Sequence, residues 1–121
     1  MDIVSYRDYC ISKKGVTETF PFDQDTLVFK VMGKMFALSS LKKWEEGAPS
    51  VNLKCTPEKS IQLREEFQAV NPGYHMDKKH WNTITINSDA SDTLILELID
   101  LSYDLVVKGL TKKLQTQLAE L

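Results

Sequence analysis

The stretch Val51–Ile86, VNLKCTPEKSIQLREEFQAVNPGYHMDKKHWNTITI, decides how the remainder of the chain is read. Val51, Leu53 and Cys55 alternate with Asn52 and Lys54, the period-two pattern of a half-buried strand. Thr56-Pro57-Glu58 stops that strand and starts a helix. Thr56 suits the N-cap, Pro57 the first helical position and Glu58 the electropositive first turn. The helix is expected over 57–68, with Leu63, Phe67 and Val70 at i, i+4 and i+7, and Asn71-Pro72-Gly73 ends it. After a lysine-bearing turn, Trp81 to Ile86 alternates again. The order is strand, helix, linker, strand.

On the N-terminal side, residues 2–13 form a first helix with Ile3, Tyr6 and Cys10 on one face, stopped near Gly15. A short segment over 17–22, ended by Pro21, suits an edge strand. The clearest local signal is Leu27–Ser40. Two apolar runs flank Gly33-Lys34, and glycine at the first loop position predicts a type II′ hairpin. Met32 then faces Met35, Val31 faces Phe36, Lys30 faces Ala37 and Phe29 faces Leu38. Phe29, Val31, Phe36 and Leu38 share the core face, and Lys30 and Ala37 look away. Leu41–Ser50 is a polar loop.

On the C-terminal side, Ser91 caps a long helix over 91–109, in which Leu94, Leu98, Leu101 and Leu105 repeat at helical spacing. Gly109 ends it. The domain is expected over 1–110, and 111–121 is a C-terminal tail, helical at most. Five strands (17–22, 27–32, 35–40, 51–55 and 81–86) and three helices predict an α+β fold. Each helix carries one apolar stripe, so two layers, with the helices on one face of an antiparallel sheet, is the economical packing.

The bulk numbers bound the rest. The 121 residues suit one domain. The formal net charge of −2 gives no global pull toward nucleic acid or anionic lipid. The start of the chain, with Asp2, does not have the pattern of a signal peptide. No apolar run spans a membrane, and no membrane partner is expected. Cys10 and Cys55 lie in apolar patterns and are expected as reduced core thiols, in keeping with a cytoplasmic chain.

Chemistry-bearing motifs are sparse. His75 and His80 lie five apart with no third ligand at metal-site spacing. Gly33-Lys34 is a turn and not part of a phosphate loop. No catalytic set, metal or cofactor is predicted, and the chain is read as a non-enzyme. Charge is unevenly placed: residues 27–88 hold nine Lys/Arg against six Asp/Glu, and the remainder holds six against eleven.

The segments VFKVMGKMFAL (28–38), LKCTPEKSIQLREEF (53–67), NPGYHMDKKHWNTITI (71–86) and ELIDLSYDLVVKGL (97–110), with GVTETFPF (15–22), resemble the MmcQ/YjbR family of small bacterial proteins. The His-Trp pair after a lysine-rich turn and the Ser-Tyr of the last helix carry the likeness. The resemblance implies a two-layer α+β fold like that of secretion-chaperone domains, and the "double-wing" DNA-binding motif proposed for the family. It implies no catalytic residues. Matched positions suited to that role are Lys30, Lys34, Lys54, Lys78, Lys79, His80 and Trp81. Strand alternation places Lys30, Lys54, Trp81, Thr83 and Thr85 on an open sheet face. The expected partner is double-stranded DNA, bound by a monomer. The alternative is a protein-interaction or chaperone-like module.

Overall fold

The computed structural model describes the whole chain, Met1–Leu121. Its elements are α1 (Ile3–Ile11), β1 (Val16–Thr19), β2 (Thr26–Val31), β3 (Lys34–Ser40), α2 (Leu41–Glu45), β4 (Ser50–Lys54), α3 (Pro57–Glu66), β5 (Val70–Pro72), β6 (Trp81–Thr85), α4 (Asp92–Lys108) and α5 (Lys112–Ala119). All strand pairs are antiparallel, in the order β1-β2-β3-β4-β6-β5. Helix α4 lies across β2, β3 and β4, and α1 lies on β1. The chain is α+β, with an open antiparallel sheet and its main core between sheet and helices.

Helix α4 closes that core. The Ser91 hydroxyl accepts from the Leu94 amide at 3.1 Å, Asp92 sits in the first turn and Lys108 in the last. Ile95, Leu98, Ile99 and Val106 are buried. Burial of four such side chains stabilises the fold by about 6–12 kcal/mol, an upper figure because a compact unfolded chain already hides part of that surface. Cys10 and Cys55 are free and buried, as expected. Burial pushes the Cys10 thiol up to about 12. No helix is long and apolar enough to cross a membrane.

The hairpin departs from the expected register. Val31 pairs with Lys34, so the two-residue loop is Met32-Gly33 and not Gly33-Lys34. Both loop residues have positive φ, 49° and 85°, the mark of a type I′ turn. The turn alone shifts each pairing by two residues, so that Lys30 faces Met35 and not Ala37, which leaves the faces unchanged. A β-bulge then opposes Phe29 and Lys30 to Ala37 and Met35, leaving Phe36 as the extra residue. A bulge re-aims the side chains beyond it. Phe36 and Ala37 therefore both reach the helix layer. Leu38 turns to the outer face, where it packs with Val28 and Trp81. Phe29, Val31 and Phe36 are core residues as expected; Leu38 and Ala37 exchange roles.

A residue far along the chain holds this bulge. The ladder between β3 and β4 stops at Ala37–Leu53, so the next step, Phe36 with Lys54, has no direct partner. Ser102 of α4 fills it. Its hydroxyl donates to the Phe36 carbonyl at 2.5 Å and accepts from the Lys54 amide at 2.8 Å. The side chain is fully buried.

Three further expectations change. The stretch read as a polar loop contains α2, started by the Ser40 hydroxyl on the Lys43 amide and held by Asp25, which accepts from the Lys42 amide and the Ser40 hydroxyl. Helix α3 ends at Glu66 and not at 68, because the Asp89 carboxylate takes the amides of Gln68 and Ala69 at 2.7 and 2.8 Å. Val70 consequently enters a sixth strand, β5, one more than the five expected. Pro72 is tolerated there because β5 is an edge. Residues after Leu110 form α5, capped by Thr111, with Leu118 in the main core.

Candidate functional site

The sheet face away from the helices follows from register. It carries Thr17, Thr19, Thr26, Val28 and Lys30 from β1 and β2, and Met35, Leu38 and Ser40 from β3. Ser50, Asn52 and Lys54 come from β4, and Trp81, Thr83 and Thr85 from β6. Hydroxyls and amides predominate, as expected for strands with one face turned from the core. The only acidic residue in any strand is Glu18. It points to the helix side, where both its oxygens accept from Arg7 of α1 at 2.6 and 2.8 Å. The outward strand positions thus carry lysines and no carboxylate.

Two loops rise over this face and make it a groove of about 810 Å³. The first, at Phe22-Asp23, is fixed by the Asp23 carboxylate, which accepts from the amides of Thr26 and Asp25 at 2.6 and 2.8 Å. Those amides, Thr26 first, hold its carboxyl below the ordinary value. The second is Tyr74-His75-Met76. Gly73 permits its close approach: a Cβ there would stand 2.9 Å from the Trp81 Cβ and 3.0 Å from the Trp81 carbonyl oxygen. The Tyr74 amide donates to the Thr83 hydroxyl at 3.0 Å. The Thr83 hydroxyl in turn donates to Asn52 Oδ1. Met35, Leu38 and Met76 make the apolar part of the lining, and Lys43 of α2 adds a cation. Phe22 and Tyr74 are 65% and 70% exposed. The Tyr74 and His75 rings pack with centroids 4.1 Å apart.

The residues singled out from the sequence fall in three places. Lys30 and Lys54 are half-buried on the outer face. Lys30 pairs with Met35 of the groove, and Lys54 with Trp81. Lys34 is exposed at the hairpin end. Lys78, Lys79 and His80 occupy the turn before β6. There Arg64 of α3 donates to the Lys78 carbonyl and to Asn82 Oδ1. The Lys78 ammonium is turned back onto the Gly73 carbonyl at 3.2 Å. Lys79 is exposed, and its amide donates to Asp77. His80 Nδ1 lies 2.7 Å from Asp77 Oδ2. That contact is the main reason the Asp77 carboxyl lies below its usual value.

Trp81 is on the predicted face but is only 9% exposed. It packs against Val28 and Leu38 with Met35 and Met76 alongside, so it supports the floor and is not an open stacking surface. The exposed aromatics are instead Phe22 and Tyr74. Sequence reasoning did not pick them, nor His75, Met76 or Lys43, as groove residues. A signal was available: each aromatic directly follows a turn element, Phe22 after Pro21 and Tyr74 after Pro72-Gly73, where a large ring has little core to enter.

The comparisons with known proteins agree with this architecture. The YjbR family model matches residues 11–105. Protein YbdF of Escherichia coli O157:H7 is 42% identical over 94 residues, covering 78% of this chain and 75% of YbdF. Protein YjbR of Escherichia coli K12 is 31% identical over 121 residues and all of both chains. The crystal structure of Deinococcus radiodurans DR2400, a DUF419 domain, superposes with a TM-score of 0.88 at 38% identity, covering 98% of this chain and 88% of that one. On its matched span and its full-length likeness, the chain belongs to the YjbR family.

Proposed function

We propose that this protein binds DNA through the outer sheet face, without catalysing a reaction on it. The supporting observation is the segregation of charge. Outward strand positions hold Lys30 and Lys54 and no carboxylate, and Lys43 lines the groove, while Glu18 is turned to the other side and neutralised by Arg7. Phosphate neutralisation by such lysines supplies sequence-independent affinity even where a chain's net charge is slightly negative. The two loops bearing Phe22 and Tyr74 form walls that orient a strand between them.

A protein-partner reading draws on one feature: Phe20 and Phe22, 45% and 65% exposed, stand on one loop as a pair of apolar anchors. The test separates the two. Labelled DNA is titrated at several salt concentrations against wild type and a Lys30→Glu, Lys54→Glu double variant. Both side chains are half-buried on the outer face, so the melt of the variant is recorded beside its binding and a wild-type melt is required. DNA binding predicts a log–log salt slope near one per neutralised phosphate and a shallower slope, with weaker binding, for the variant. Affinity that is absent at low salt, or that ignores both charge reversals, rules the reading out.

A further inference from the structure

We infer that the groove seats unpaired bases, so that this face selects single-stranded over duplex DNA; the inference rests on the DNA-binding reading above. The lining is what an unpaired base needs and what a duplex cannot use. Phe22 and Tyr74 hold large ring faces 65% and 70% exposed at the two walls, and stacking requires a base freed from its own neighbours. Met35, Leu38 and Met76 add apolar contact surface. The groove, at about 810 Å³, falls within the range of about 300–1,000 Å³ typical of small-ligand sites, the scale of individual bases.

The polar groups among these residues point the same way. Thr83 is committed to Asn52 Oδ1 and the Tyr74 amide, and Ser40 donates to Asp25. Asn52 accepts through Oδ1, which leaves its Nδ2 hydrogens as an uncommitted donor pair inside the groove. Such a pair matches the carbonyl oxygen of an exposed base edge. Asp23, the carboxylate of the lining, already accepts from two amides and a threonine hydroxyl. The cations lie at the margins where a backbone would run. Lys30 is opposite Met35, Lys54 is two positions from Asn52 along β4, and Lys43 lines the groove itself.

The test is a titration of a thymidine-rich 20-nucleotide single strand, and of a duplex of equal length, against wild type, Phe22→Ala, Tyr74→Ala and Tyr74→Phe. Both aromatics are exposed, so the alanine variants keep the wild-type melt. The expected result is single-strand affinity at least about tenfold above duplex affinity. Each alanine should weaken the single strand about tenfold, as loss of a base stack does, and leave the duplex unchanged, while Tyr74→Phe retains wild-type binding. Equal affinity for both forms, or unchanged single-strand binding by both alanine variants, overturns the inference and leaves the DNA-binding reading standing. Absence of salt-dependent binding to either form overturns both.

Discussion

Replacing Ser102 by alanine removes one oxygen and orphans two backbone groups. In the folded chain that oxygen donates to the Phe36 carbonyl and accepts from the Lys54 amide. Ser102 is 0% exposed, so water cannot take over either bond without entering the core. A buried polar group left unpaired costs about 1–3 kcal/mol, so the pair should cost about 2–5 kcal/mol. That is a large part of the roughly 5–15 kcal/mol of stability usual for a domain. At about 4 °C per kcal/mol for a chain of this size, the melting midpoint should fall by roughly 8–20 °C. Urea unfolding should show a lower midpoint at an unchanged slope, because the surface exposed on unfolding stays the same. Thr93→Ala, on the exposed side of the same helix, is the control and should stay within about 0.5 kcal/mol. Amide exchange localises the effect, since the Lys54 amide should lose protection before its neighbours on β4. A Ser102→Ala protein that melts with wild type, or whose Lys54 amide keeps its protection, would refute the claim that this hydroxyl stands in for the missing ladder step.

Two further perturbations test other parts of the structure. Gly73→Ala places a methyl group 2.9 Å from the Trp81 Cβ and 3.0 Å from its carbonyl oxygen, so the Tyr74 loop must shift; stability should drop by about 1–3 kcal/mol, with a moved Trp81 indole resonance, and an unchanged melt together with an unchanged indole signal would show that the approach is not close. Asp89 makes stability pH-dependent on the acid side: the amides of Gln68, first, and Ala69 hold its carboxyl below the ordinary value, so its contribution is complete above about pH 4 and is lost as pH falls through the lower, folded-state value. Asp89→Asn should therefore be less stable than wild type at pH 7 and lose stability less steeply below pH 4, as read by urea midpoints across pH, and parallel curves for the two proteins would sink the assignment.

What was legible in the sequence, and what was not, divides along a physical line. Patterns set by neighbours within a few residues read correctly. The alternation of Val51, Leu53 and Cys55, the caps at Thr56 and Ser91 and the long stripe of α4 all stand where local chemistry puts them. What failed was decided at a distance. Helix α3 stops early because Asp89, more than twenty residues beyond the break at Glu66, takes two of the next amides. No helix-stop residue marks Phe67. The face chosen by Leu38 is the most consequential case. Alternation from the hairpin put it in the core, but a bulge at Phe36 reverses every position beyond it. That bulge has its carbonyl satisfied by a serine sixty-six residues away. The same event brings Leu38 to the outer face beside Val28 and completes the apolar surroundings of Trp81. The tryptophan expected to lie open on the sheet therefore became part of a floor. Exposed ring surface moved to Phe22 and Tyr74, on loops that alternation cannot place. The Ser-Tyr pair of α4, on which the family likeness rested, belongs to this arrangement: Ser102 holds the bulge, and Tyr103 packs edge-on against Phe36 at 5.4 Å while its hydroxyl donates to the Lys14 carbonyl. Residues of the helix layer thus determine which side chains the opposite face of the sheet presents.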